Sequence, residues 1–172
     1  MSRPRVLLYP GDPGWSYDFT ARALVEHLSE RFDFEIAYHP VHAHARAQHV
    51  DLIVDFWWRG VLEQHYGKRV LKQVSSHRWS RHKFGSMKPT MLAAKYLAPS
   101  CGVVVPSRRL LGIIGDAIGA IGSSVPVSLA PKGFDPALFS WRERAGDLRI
   151  GWAGTGRQID KRLPIIRDAC PE

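Results

Sequence analysis

The sequence predicts an α/β domain built on a doubly wound parallel sheet. Two observations carry this. Short, mainly apolar runs recur at 6–9, 52–57 and 102–105, the first and last closed by Pro10 and Pro106, and segments with apolar residues at helical three- and four-residue spacing lie between them. Strands with no polar alternation need cover on both faces, which crossover helices supply. With 45% hydrophobic residues and six Trp in 172 residues, the chain holds enough apolar material for a packed core, so bulk disorder is excluded.

The first strand, 5–9, runs into Pro10-Gly11-Asp12-Pro13-Gly14, a tight loop. Ser16 is placed to cap the helix that follows, with Leu24, Val25, Leu28 and Phe32 on one face. A strand is expected at 34–38, then a solvated His-rich loop at 39–49, and strands at 52–57 and 70–75. A helix is expected at 89–97 and a strand at 102–105. Ser107 caps a helix with Leu110, Ile114, Ala117, Ile118 and Ile121 on one face, and a strand follows at 125–129. Together these elements read as a Rossmann-like domain over residues 1–145. Residues 146–172 hold one strand and one helix start, too little to enclose a core, and read as the truncated opening of a second domain.

Lys and Arg number 24 against 16 acidic residues, a net +8, which favours anionic partners such as nucleotide phosphates, lipid headgroups or nucleic acid. Cys101 and Cys170 are far apart and fit neither a disulfide framework nor a zinc site, and no metal is expected from the spacing of His39, His42, His44 and His49. The amino terminus lacks a signal-peptide core, and no run approaches the length of a membrane span. A soluble, cytoplasmic protein is expected, with peripheral membrane contact as one use of its charge.

His77 follows an apolar strand at the end where open α/β sheets bind ligands, and is the leading catalytic candidate. Gly14, in the first loop, lies where backbone N–H groups meet an anion. The segment 77–88 interleaves cations with aromatics, but no nucleic-acid motif accompanies it, so nucleic acid is the lesser reading. Gly112, Gly115, Gly119 and Gly122 form a stripe assigned to close helix packing. Gly151-Trp152-Ala153-Gly154-Thr155-Gly156-Arg157 through Lys161 reads as a strand, a glycine turn and a helix start. There Arg157 can fork onto phosphate oxygens and Lys161 can add a point charge.

Several segments occur in the order found in one family. They are 6–10 with Pro13-Gly14, Val74-Ser75-Ser76-His77, Val103-Val104-Val105-Pro106-Ser107, Pro131-Lys132-Gly133-Phe134-Asp135 through Phe139, and 150–161. The chain resembles the nucleotide-sugar-dependent glycosyltransferases of the GT-B fold, particularly glycosyltransferase family 4, the glycosyl transferases group 1. The resemblance implies an N-terminal, acceptor-side domain of a retaining enzyme whose partners are a sugar nucleotide and a sugar or lipid-linked acceptor. It also implies that neither a metal nor a further cofactor is needed. In it His77 faces the transferred sugar, and Gly14, Arg157 and Lys161 lie on the donor phosphates.

The chain departs from the pattern where Trp15 replaces a second glycine, Lys132 an asparagine, and Arg162 the glycine after Lys161. The family's Glu-x7-Glu motif is absent. Little or no transferase activity is therefore expected of these 172 residues alone. The alternative is a non-catalytic basic Rossmann-like module that binds nucleic acid or an anionic surface.

Overall fold

The computed structural model describes residues 2–60, 62–80 and 86–133. The chain divides into two units, Met1–Gly133 and Phe134–Glu172, and only the first lies among the described residues. In order, the elements are β1 (Arg5–Tyr9), α1 (Ser16–Leu28), β2 (Asp33–Ile36), α2 (Pro40–Ala47), β3 (Leu52–Asp55) and α3 (Glu63–Tyr66). They continue with β4 (Val70–Gln73), α4 (Pro89–Leu92), a π-helical turn Ala93–Leu97, β5 (Gly102–Val105), α5 (Arg108–Ala120) and β6 (Val127–Leu129). No helix among them is long and apolar enough to cross a membrane.

All six strands are parallel, in the order β2-β1-β3-β4-β5-β6. The chain winds outward from β1 to β2, then returns past β1 to β3 and continues the other way. That reversal places a topological switch point between β1 and β3. Alternate residues of β1 point to opposite faces, and the core follows: Val6 and Leu8 pack with Ala21 of α1, while Leu7 packs with Ala43 and Ala47 of α2. Helices therefore cover both faces, and the domain is Rossmann-like and doubly wound. Full burial of one such leucine contributes about 1.5–3 kcal/mol.

A third apolar cluster lies under α4 and α5, where Trp58, Trp79, Leu92, Leu97, Val103 and Ile114 are buried together. The π-helical turn, with Ala98 N–H donating to Ala93 O at 2.8 Å, turns Ala93, Tyr96 and Leu97 all inward.

Three local expectations change. The His-rich stretch is mostly helix α2: Pro40 occupies its first turn and His39 Nδ1 accepts from Val41 N–H at 3.3 Å. Its buried pair Ala43 and Ala47, four residues apart, supplies the apolar face that the histidines had obscured. Ser16 is the first helical residue of α1 rather than its cap. The preceding Trp15 makes no side-chain cap, and Asp18 secures the turn by accepting from Gly14 N–H at 2.8 Å.

Among the described residues, nothing packs closely on the glycine stripe of α5. The face bearing Leu110, Ile114, Ala117 and Ile118 is the one buried. A Cβ at Gly112, Gly115 or Gly119 would meet no described atom within 4 Å.

Each of these three glycines leaves helix stability unrealised. Gly112→Ala, Gly115→Ala and Gly119→Ala are each expected to raise stability by about 0.5–1 kcal/mol, read as a higher midpoint in urea denaturation.

Candidate functional site

The carboxyl ends of the parallel strands form one edge of the sheet, and the switch point opens there between the loops after β1 and β3. Gly11 and Gly14 take left-handed backbone angles, φ +84° and +75°, which a side chain would strain, and a Cβ on either would meet no described atom within 4 Å. The described surroundings thus leave the loop backbone open. The Gly14 N–H, however, already donates to buried Asp18, which also accepts from the Tyr38 hydroxyl at 2.8 Å and from Arg22. The Gly14 N–H bond, followed by those from Tyr38 and Arg22, holds the Asp18 carboxyl below its ordinary range. The amino end of α1 thus carries its own anion.

The chain leaves β3 through Asp55, whose Oδ1 accepts from Trp57 N–H at 3.0 Å. That bond sets a turn rich in aromatics. Tyr17 of α1 lies 6.0 Å from the Phe56 ring and 6.3 Å from Trp57. Trp57 stacks on Trp58, which meets Tyr96 edge-on. Lys132, beyond β6, reaches back to place Nζ 5.5 Å from the Tyr17 ring centroid. Sequence reading missed this wall because Phe56 and Trp57 looked like strand or core residues.

Beneath the turn lies a wholly buried ionic cluster. Lys72 Nζ, from β4, donates to Asp55 Oδ2 at 2.7 Å and lies 2.6 Å from Glu63 Oε2 of α3. Both carboxylates and the ammonium are inaccessible to solvent. Burial pushes the Asp55 carboxyl above its ordinary value, against the pull of Lys72 and the Trp57 N–H. Gly60 is required here: a Cβ would collide with Asp55 Oδ2 and come within 2.9 Å of Lys72 Nζ.

His77 lies past the end of β4, its ring 5.2 Å from buried Trp79. Its carbonyl accepts from Ser80 N–H and Ser80 Oγ–H, fixing the backbone. Nε2 is buried and has no hydrogen-bond partner among the described residues. Burial, and then the charge of Arg109 in the first turn of α5, lower the imidazole pKa, which favours the neutral ring. Ser107 caps α5 as expected, accepting from Leu110 N–H at 3.3 Å.

His77 and Gly14 therefore share the carboxyl edge on loops from β4 and β1, with β3 between them. At ordinary strand spacing those strands are about 10 Å apart. Arg157, Lys161, the 145/146 boundary and the basic residues 81–85 lie outside the described residues.

Two outcomes follow from the buried charges. Lys72→Met leaves two buried carboxylates without a cation and is expected to cost about 3–5 kcal/mol near neutral pH. Because the folded Asp55 binds its proton more tightly than the unfolded chain does, its ionisation weakens the fold as pH rises from the ordinary aspartate value through the raised one. The Lys72→Met deficit in urea denaturation should accordingly shrink in acid. For His77, an NMR titration should give a midpoint below the ordinary histidine value, and Arg109→Ala should move it upward; an unchanged midpoint would place Arg109 outside the site.

No protein-family model, curated protein or solved structure matches the chain.

Proposed function

We propose that the chain carries the acceptor-side domain of a retaining, nucleotide-sugar-dependent glycosyltransferase, with His77 facing the transferred sugar. The observation that carries this reading is the buried Nε2 of His77 at the carboxyl edge of the sheet, unpartnered among the described residues. An unsatisfied buried nitrogen costs about 1–3 kcal/mol, and a hydroxyl-bearing ligand removes that cost. A neutral imidazole has one N–H and one lone pair, so it can donate to or accept from a sugar hydroxyl. A charged one would only donate.

The reaction breaks the bond from the anomeric carbon to the diphosphate oxygen, and negative charge gathers on the departing diphosphate. In this reading Arg157 and Lys161 meet that charge, the first through a forked guanidinium and the second as a point charge, without a metal. The acceptor hydroxyl bonds to the anomeric carbon on the face the diphosphate leaves, and its proton passes to the leaving oxygen. The first loop supports the arrangement through its open backbone at Gly11 and Gly14. With its N–H committed to Asp18, Gly14 offers close approach rather than a donor.

Calorimetric titration with UDP-, GDP- and ADP-sugars tests the proposal. At least one is expected to bind, and His77→Ala should weaken that donor about tenfold, equivalent to about 1.4 kcal/mol. The same substitution should leave the matching nucleoside diphosphate unaffected, because His77 faces the sugar. Equal loss for both ligands, or no binding by any donor, would overturn it.

A further inference from the structure

The charge of the described residues is unevenly placed along the sheet. Arg59 follows β3, Arg78 follows β4, Arg108 and Arg109 follow β5, and Lys132 follows β6. In an all-parallel sheet these loops all emerge at the carboxyl edge, and the three after β4, β5 and β6 fall within about 10 Å at ordinary strand spacing. Arg59, Arg108, Arg109 and Lys132 are exposed, and Arg78 is half-buried.

None of these five forms an ion pair among the described residues. The ion pairs are Arg3 with Asp33, Arg22 with Asp18, Arg46 with Glu35, and the buried Lys72 cluster. Among the described residues, the exposed carboxylate at the carboxyl edge is Asp12, in the first loop. The amino edge carries cations too, among them Arg5 and Lys68, but there Arg3 pairs with Asp33, Arg69 donates to the Ala47 and Val50 carbonyls, and Asp51 accepts from the Arg5 backbone N–H. The like charges at the carboxyl edge repel one another, a cost that a bound polyanion would remove.

We infer that this edge holds a phosphate or diphosphate group of the acceptor, gripped by Arg78, Arg108 and Arg109 beside His77. This rests on the transferase reading for the word acceptor; the phosphate site itself does not. Three guanidiniums on adjacent loops suit the chemistry, because each offers a planar fork that matches two phosphate oxygens. Arg109 opens the helix after β5, the strand beside β4 that leads to His77, and its charge lowers the imidazole pKa. The phosphate is a handle here: it forms and breaks no bond, and sets the acceptor hydroxyl near the transferred sugar.

Titration of the isotope-labelled full chain with inorganic pyrophosphate, followed by amide NMR, is the test. Shifts are expected at 77–80 and 107–110, with affinity falling at least tenfold in the Arg108→Ala/Arg109→Ala double variant. Lys68→Ala, at the opposite edge, should change nothing. Shifts spread equally over both edges, or an affinity indifferent to the double variant, would overturn the inference.

Co-sedimentation with phosphatidylcholine–phosphatidylglycerol vesicles separates the sources. Vesicle binding that the double variant abolishes assigns the phosphate to a lipid headgroup, and pyrophosphate binding without vesicle binding assigns it to a soluble acceptor. Pyrophosphate held by Arg108 and Arg109 in a chain that binds no sugar nucleotide would keep this site while removing the transferase. Sugar-nucleotide binding with no Arg108 and Arg109 dependence for pyrophosphate would do the reverse.

Discussion

A single ammonium group organises the middle of this domain. Lys72 Nζ lies between Asp55 of β3 and Glu63 of α3, out of reach of water. In a medium of low polarity neither carboxylate tolerates the loss of that cation, so two neighbouring strands and the helix between them are tied at one point. The other oxygen of Asp55 reaches upward to Trp57 N–H. The same carboxylate thereby anchors the core below and shapes the aromatic turn above. Gly60 completes the arrangement by bringing backbone where any side chain would strike Asp55.

Much of the architecture was legible because it rests on local rules. Uninterrupted apolar strands such as 102–105 announce burial on both faces, and Ser107 followed by Leu110, Ile114, Ala117 and Ile118 announces a capped, amphipathic helix. The unread parts depend on partners distant in sequence. Lys72, Asp55 and Glu63 each resemble an ordinary surface charge, and their burial becomes visible only when β3 and β4 are side by side. Helix α2 was hidden because its apolar face is two alanines among histidines. The glycines of α5 suggested a packing surface, whereas the larger apolar residues of the same helix had already claimed the sheet.

The candidate site divides along the same line. The place of His77 is legible because a polar, titratable residue just past an apolar strand is put at the carboxyl edge by topology alone. The lack of a partner for its Nε2 among the described residues, the influence of Arg109 and the aromatic wall from Tyr17 to Tyr96 depend on separate elements that only the strand order brings together. Its glycines mark the first loop, but no local pattern reveals that Asp18 turns back to occupy the Gly14 N–H.

The glycine-rich outer face of α5 also bears on motion. A helix with glycine at 112, 115 and 119 has weak intrinsic preference for its own conformation, so it is held by Leu110, Ile114, Ala117 and Ile118 against the sheet rather than by its backbone. Its amide hydrogens are then shielded only as long as that face stays docked, and exchange with solvent along α5 reports undocking of the whole helix rather than fraying from one end. Arg108 and Arg109 ride on this element, which makes the cationic edge as rigid, or as yielding, as the apolar seam beneath it.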